Sequence, residues 1–165
     1  MGPANITRPL RNDVIARRRL YEPKAEQRVW SINVLVVDDD AADTSLILNV
    51  LKRHPNVSAT HAIDEPEVAL EQLADGHLKP DLVLLDIHMP RLDGFAFLNR
   101  IRRIPDMVFT PVVFLTTSCL ATDVIEARHS SASFYVIKPD TYLELNARLD
   151  WVVKRAVSGA WSRQS

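Results

Sequence analysis

The sequence predicts an α/β fold with a doubly wound parallel sheet of five strands and five flanking helices. Short apolar runs rich in β-branched residues alternate with longer segments whose apolar residues recur at helical spacing. This alternation continues from residue 31 to residue 157. Right-handed connections between such units place the parallel strands in one layer and the helices on both of its faces.

Each predicted strand is a short apolar run bounded by polar or turn-forming residues. The third run is apolar at every position, which predicts a strand buried on both faces. The five runs are INVLVV at 32–37, VSATHAI at 57–63, LVLL at 82–85, PVVFLTT at 111–117 and FYVIK at 134–138.

Each predicted helix follows a strand and carries its apolar residues on one stripe. The second helix has Asp64 as its expected cap, Pro66 in its first turn and Gly76 at its end. The other four are predicted over 41–54, from about Gly94, over about 120–130, and up to 157. The stripes of the first, third and last helices are Leu46, Ile47, Val50 and Leu51; Phe97, Leu98, Ile101 and Ile104; and Leu145, Leu149, Val152, Val153 and Ala156.

The composition is that of one globular domain in a reducing compartment. The chain has 165 residues, of which 47% are hydrophobic and 25% charged, and this length allows one core of ordinary size. Its single cysteine, Cys119, excludes an internal disulfide framework. No apolar run approaches the roughly 20 residues of a membrane span, and the N-terminus has no apolar signal core. We therefore expect a cytoplasmic protein.

The charge is unevenly distributed along the chain. Residues 1–30 contain seven basic and three acidic side chains, whereas the remainder carries the excess of acid. We interpret residues 1–30 as a basic N-terminal extension, 31–157 as the folded domain and 158–165 as a C-terminal tail. The extension could bind nucleic acid or lipid, fold back onto an acidic surface, or remain a solvated tail with one short helix.

Polar side chains follow four of the five predicted strands. Asp38, Asp39 and Asp40 follow the first strand and Asp86 the third. The end of the fourth strand carries Thr116, Thr117 and Ser118, and Lys138 ends the fifth. The carboxyl ends of parallel strands meet at one edge of the sheet, where open α/β proteins place their sites. Taken singly, these residues could be helix caps, a strand residue and a surface lysine. Together they predict a site.

The chemistry of this set favours a phosphoryl group. Carboxylates about 4 Å apart repel each other by roughly 4 kcal/mol at an effective dielectric constant of 20, so they should recruit a cation. Their hard oxygen atoms suit Mg²⁺. With Lys138 and the Thr116 hydroxyl alongside, the set could neutralise and bind phosphoryl oxygens, and Asp86 would be the nucleophile.

Four separated motifs resemble the receiver domain of two-component response regulators. They are VLVVDDD, LVLLDIHMPRLDG, VVFLTTS and YVIKP, in this order, and the resemblance covers about residues 31–157. It implies the flavodoxin-like strand order 2-1-3-4-5. It also implies that the protein is no enzyme beyond gaining and losing a phosphoryl group at its own aspartate.

The resemblance further implies the roles of individual residues. Asp86 would be the phosphoacceptor. Asp39, Asp86 and the backbone carbonyl of His88 would bind Mg²⁺ directly, and Asp38 would do so through water.

A second group of residues would respond to the phosphoryl group. By the resemblance, Thr116 and Tyr135 form the switch pair and Lys138 binds a phosphoryl oxygen. The family usually has a cis peptide before the matching proline, so we expect Lys138–Pro139 to be cis.

Within this family, the chain is most similar to single-domain regulators that work with phytochrome-type histidine kinases. The features that carry this similarity are DDDAAD, FLTTS and the expected lack of an output domain. The expected partner is therefore a sensor histidine kinase, with neither a DNA-binding domain nor a membrane involved. We also expect a homodimer through the fourth helix, the fifth strand and the fifth helix, because Tyr142, Trp151 and Trp161 are hard for a monomer to cover. A monomer in which Trp161 packs back is the alternative.

Other functions fit the sequence less well. A haloacid-dehalogenase-type phosphatase needs a second aspartate two residues after the first, where this chain has His88. Four scattered glycines cannot form a phosphate-binding loop. The main alternative is a receiver-fold interaction or dimerisation module in which phosphorylation is secondary or lost.

Overall fold

Five parallel strands form one sheet in the order β2-β1-β3-β4-β5, as the resemblance implies. The computed structural model describes residues 30–161, so residues 1–29, with the helix considered there, and 162–165 lie outside it. The strands are β1 (Ile32–Val37), β2 (Val57–Ile63), β3 (Leu82–Leu85), β4 (Val112–Thr116) and β5 (Phe134–Ile137). The helices are α1 (Ala41–Leu51), α2 (Pro66–Ala74), α3 (Gly94–Ile101), α4 (Ala121–His129) and α5 (Tyr142–Val157), with a 3₁₀ turn at Pro105–Met107.

The sheet has a hydrophobic core on each face. Successive strand residues point to opposite faces, so β1 sends Val34 and Val36 to one side and Leu35 and Val37 to the other. Helices α1 and α5 cover the first side, and α2, α3 and α4 cover the second. All four residues of β3 are buried, as predicted for a central strand. Among residues 30–161, no helix combines the length and hydrophobicity that a membrane span requires.

Local hydrogen bonds fix the start of three helices. The side chains of Asp40, Asp93 and Thr141 accept from backbone N–H groups in the first turns of α1, α3 and α5. The prediction that Asp64 caps α2 was wrong, because the N-cap is Glu65, without a side-chain cap bond. Pro66 is the first helical residue, so Asp64 stands one position too early to cap it.

Two further expectations differ from the structure. Helix α1 ends at Leu51 rather than at residue 54, because the N–H groups of Arg53 and His54 bond three residues back in tighter turns. The expectation of a cis Lys138–Pro139 bond was wrong, since residues 30–161 contain no cis peptide. Trans is the intrinsically favoured isomer of such bonds, by about 0.5–1 kcal/mol.

Gly94 lets α3 begin directly against the loop that follows β3. A Cβ atom at this position would lie 2.4 Å from the backbone oxygen of Asp86 and 2.9 Å from the Cα of Ile87. Both neighbours are backbone atoms and cannot move aside cheaply. The absence of a side chain at residue 94 therefore allows α3 to approach the segment that carries Asp86 this closely.

We predict that Gly94→Ala lowers the free energy of unfolding by about 2–3 kcal/mol, because the added methyl group displaces backbone. Urea denaturation monitored by circular dichroism measures this change. Gly159→Ala is the control, since nothing lies within 4 Å of its new methyl group and only the positive φ of 65° opposes it. Equal losses in the two variants would contradict the packing argument.

Candidate functional site

The predicted site residues come together at the carboxyl edge of the sheet. Asp38 and Asp39 directly follow β1, Asp86 follows β3, Thr116 ends β4 and Lys138 follows β5. Parallel pairing of β1 with β3 and of β3 with β4 aligns the ends of these strands. Residues far apart in the chain therefore meet at one place because the strands are parallel and in register.

Three carboxylates form a compact group at this edge. Asp38, Asp39 and Asp86 each offer an oxygen within 4.8 Å of the others. Asp38 and Asp86 are buried, whereas Asp39 is exposed. Oδ1 of Asp86 has no hydrogen-bond partner among the described residues. Clustered carboxylate oxygens with an unused acceptor fit a hard divalent cation such as Mg²⁺.

Within residues 30–161, the cation that contacts this group is Lys138. Its Nζ lies 2.7 Å from Oδ2 of Asp38, 2.8 Å from Oδ2 of Asp43 and 3.9 Å from Oδ1 of Asp86. Its backbone N–H donates to the carbonyl of Thr116 at 2.7 Å, which extends the pairing of β4 with β5. Burial lowers the pKa of Lys138, but the bonds to Asp38 and Asp43 outweigh it and the net direction is upward.

The carboxylate of Asp38 is costly to keep charged. Burial raises its pKa, and Asp86 adds to the rise, although Lys138 and the backbone N–H of Asp40 oppose it. The folded state thus holds this proton more tightly than the unfolded state does. As the pH rises past the usual range of an aspartate, the Asp38 contribution to the free energy of unfolding therefore falls.

A second hydrogen-bonded group lies beside the carboxylates. Oδ2 of Asp123, in the first turn of α4, accepts from Ser118 Oγ at 2.6 Å and lies 2.9 Å from Nε2 of His88. The bond from Ser118 holds the pKa of Asp123 below its usual range, with a smaller contribution from His88. The loop after Asp86 is thereby tied to the start of α4.

The expected switch residues both form a hydrogen bond with Ser118. The Thr116 side chain is fully buried, and its Oγ1 accepts from the Ser118 N–H at 3.3 Å. The Tyr135 hydroxyl donates to the Ser118 carbonyl at 2.8 Å. The loop after β4 therefore connects the site to β5.

Asp43 and Asp123 are residues near the site that the sequence analysis did not single out, whereas it placed Ser118 at the end of the fourth strand. Asp43 could have been found, because it lies one turn beyond Asp39 and its helix begins at the site. Nothing in the sequence pairs His88 with Asp123, which is 35 residues away.

Comparison with known proteins identifies the domain. The family model of the response regulator receiver domain matches residues 34–150. The chain is 34% identical over 123 residues to the transcriptional regulatory protein AfsQ1 of Streptomyces coelicolor, covering 74% of this chain and 51% of that protein. A protein-glutamate methylesterase/protein-glutamine glutaminase of Myxococcus xanthus is 33% identical over 108 residues, covering 66% of this chain and 30% of that protein. The chain thus spans about half or less of these relatives.

Solved structures show the same fold. The cyanobacterial phytochrome response regulator RcpA superimposes with a TM-score of 0.69 at 22% identity, covering 78% of this chain and 95% of that one. The Mn²⁺-bound form of response regulator Rcp1 gives a TM-score of 0.66 at 26% identity, covering 81% of this chain and 96% of that one.

We predict that Asp38→Asn makes the protein more stable at pH 7 without added metal. The substitution removes a carboxylate whose pKa is raised by burial, so the folded state no longer loses stability by keeping it charged, while Asp43 remains to pair with Lys138. The gain should shrink as the pH falls towards the range where Asp38 takes up its proton. Thermal unfolding across this pH range measures it, with Glu71→Gln on the exposed side of α2 as the control. A less stable Asp38→Asn protein at pH 7 would contradict the argument.

Proposed function

The chain belongs to the response regulator receiver domain family, and from this premise we propose that it accepts a phosphoryl group on Asp86 from a sensor histidine kinase. The observation that carries the proposal is the state of Asp86. Its Oδ1 is buried, lacks a hydrogen-bond partner among the described residues and lies 3.9 Å from the Lys138 ammonium. A nucleophile needs such a free oxygen, with a cation nearby for the incoming charge.

The transfer forms a mixed anhydride on Asp86. An Asp86 oxygen attacks phosphorus as the bond from phosphorus to the kinase histidine nitrogen breaks, and the electron pair stays on that imidazole. In this proposal, the ammonium of Lys138 binds one phosphoryl oxygen. The Thr116 hydroxyl, one strand away on β4, binds another.

We propose that the reaction depends on Mg²⁺. Asp39, Asp86 and the His88 carbonyl would bind the ion directly and Asp38 through water, as the resemblance implies. When bound, Mg²⁺ offsets the negative charge of the phosphoryl oxygens. The compact carboxylates support this proposal, as does the similarity to Rcp1, which is described in a Mn²⁺-bound form.

The signal would leave through the surface formed by α4, β5 and α5. Engagement of Thr116 by the phosphoryl group would disturb its contact with Ser118, which also holds Tyr135 and, through Asp123, the start of α4. Two arrangements of this loop would thus give two surfaces. The proposal that a phytochrome-type kinase donates the phosphoryl group depends on the DDDAAD and FLTTS motifs. The likeness to RcpA does not add to it, because at 22% identity it concerns the fold alone.

The α4–β5–α5 surface also supports the second candidate function, a dimerisation module. An apolar groove of 590 Å³ runs between α4 and α5, lined by the side chains of Val124, Phe134, Tyr135, Val136, Ile137, Ala147, Arg148 and Trp151. The rings of Phe134 and Trp151 pack at a tilt of 51° with centroids 4.8 Å apart, and the two residues remain 44% and 40% exposed. Trp161 packs back onto Trp151 with Arg155 over both rings, which is the arrangement expected of the monomer alternative. The case for a dimer therefore rests on the exposed parts of Phe134 and Trp151. We propose that a second copy covers this groove.

We predict one Mg²⁺-dependent adduct when the protein is treated with a small phosphodonor, such as acetyl phosphate. Intact-mass spectrometry measures the addition of one phosphoryl group. Asp86→Asn should abolish the adduct, and removal of Mg²⁺ with a chelator should prevent it. Asp39→Asn should weaken metal binding about tenfold or more, because it removes a direct charged ligand.

Asp93→Asn is the matched control for this experiment. Asp93 follows Asp86 in the same loop, but its side chain caps α3, a role that asparagine also fills. Labelling of this variant should match the wild type. An adduct that persists in Asp86→Asn would exclude Asp86 as the phosphoacceptor.

We predict a homodimer at micromolar concentration that Trp151→Glu dissociates. A two-fold interface buries the same patch twice, so one charged substitution acts at two places. Light scattering with and without beryllofluoride gives the mass, and circular dichroism checks that the variant is folded. Phe109→Glu is the control, because Phe109 is 86% exposed, lies three residues before β4 and does not line the groove. A monomer mass under both conditions would exclude the dimer.

A further inference from the structure

Asp43 contacts Lys138 but does not belong to the carboxylate group that fits a metal. The ion pair between Lys138 Nζ and Asp43 Oδ2 is 2.8 Å long. Asp38, Asp39 and Asp86 are the acids whose oxygens cluster within 4.8 Å. Building on the proposed phosphoryl transfer, we propose that Asp43 is a positioning residue that holds Lys138 back from Asp86 and competes with the phosphoryl group for its ammonium.

The start of α1 fixes the position of Asp43. Oδ1 of Asp40 accepts hydrogen bonds from the N–H groups of Ala42 at 2.8 Å and Asp43 at 3.0 Å. Asp43 is the third residue of the helix, so this cap sets its backbone. The side chain of Asp43 is 32% exposed, whereas that of Lys138 is 9% exposed. A fixed, accessible carboxylate thus holds the tip of a buried lysine.

Lys138 is shared among three carboxylates. It makes hydrogen bonds to Asp38 and Asp43, but its distance to Asp86 is 3.9 Å, which is too long for a hydrogen bond. Asp38 is also proposed to bind Mg²⁺ through water, whereas Asp43 has no proposed role in metal binding. Asp43 is therefore the partner that Lys138 gives up when it turns to a phosphoryl oxygen and regains when that group leaves.

The ion pair between Asp43 and Lys138 makes the phosphorylated state less stable than it would be if Lys138 contacted only Asp38 and Asp86. A phosphoryl group that draws the Lys138 ammonium towards Asp86 weakens its ion pair with Asp43. The competing explanation is that Asp43 serves only the helix, since an acid in the first turn interacts well with the helix dipole. The two explanations differ in one respect: only the positioning role acts through Lys138.

The first test observes the Lys138 ammonium directly by nitrogen-15 NMR of lysine side chains, without metal or phosphodonor. A hydrogen-bonded ammonium exchanges its protons slowly and gives a resolved signal, which Lys138→Ala assigns by its loss. Asp43→Asn should shift or broaden this signal. Asp40→Asn, which removes a charge from the same turn but keeps the cap, should leave it in place.

The second test measures the affinity for beryllofluoride, a phosphoryl analogue, with Mg²⁺ present. Asp43→Asn should lower the dissociation constant about fivefold, the size expected for one partly exposed ion pair. Asp40→Asn should change it much less. In the Lys138→Ala background, Asp43→Asn should have no effect, because the interaction that it removes is already absent.

The outcomes separate this inference from the proposed function. A lysine signal that is missing in the wild type or unchanged in Asp43→Asn would overturn the role of Asp43, whatever the protein does with beryllofluoride. An equal affinity gain with and without Lys138 would also overturn it, and would favour a general charge effect. If the wild type binds no beryllofluoride, the proposed function fails and the NMR comparison alone decides the role of Asp43.

Discussion

The parallel register of β1 and β3 brings Asp38, Asp39 and Asp86 to the same edge of the sheet, and the other features of the site depend on this constraint. Carboxylates this close repel each other, most strongly where water is excluded. Among residues 30–161, Lys138 is the one cation that forms ion pairs with Asp38 and Asp86. Its single charge cannot neutralise the group. The excess of negative charge makes the site ready for a divalent cation.

The buried charge at the site lowers the free energy of unfolding. Burial raises the pKa of Asp38, so the folded protein keeps its charge at a cost in free energy. Burial of apolar side chains on both faces of the sheet, including every residue of β3, offsets this loss of stability. Gly94 contributes in another way, since only a residue without a side chain fits against the backbone of Asp86. A rigid scaffold thus supports a strained arrangement of charges.

The link from the site to the surface runs through one loop. Ser118 contacts Thr116, Tyr135 and Asp123, and Asp123 contacts His88 next to the site. These bonds connect the ends of β3, β4 and β5 with the first turn of α4. Under the proposed function, a phosphoryl group on Asp86 would act on this network by engaging Thr116, whose hydroxyl is bonded to Ser118.

The sequence by itself determined the fold class, the strand positions and which acids, hydroxyl and lysine stand at the ends of the strands. Strand and helix periodicities are local, and alternation alone implies that strand ends converge. Only the tertiary structure decided the contacts between distant side chains. Lys138 meets Asp38 and Asp43 across separations of 100 and 95 residues, and His88 meets Asp123 across 35. The directions of these side chains and the distances between them depend on the sheet register, the helix caps and the packing at Gly94. These features involve distant parts of the chain, so no local sequence pattern predicts their combined effect.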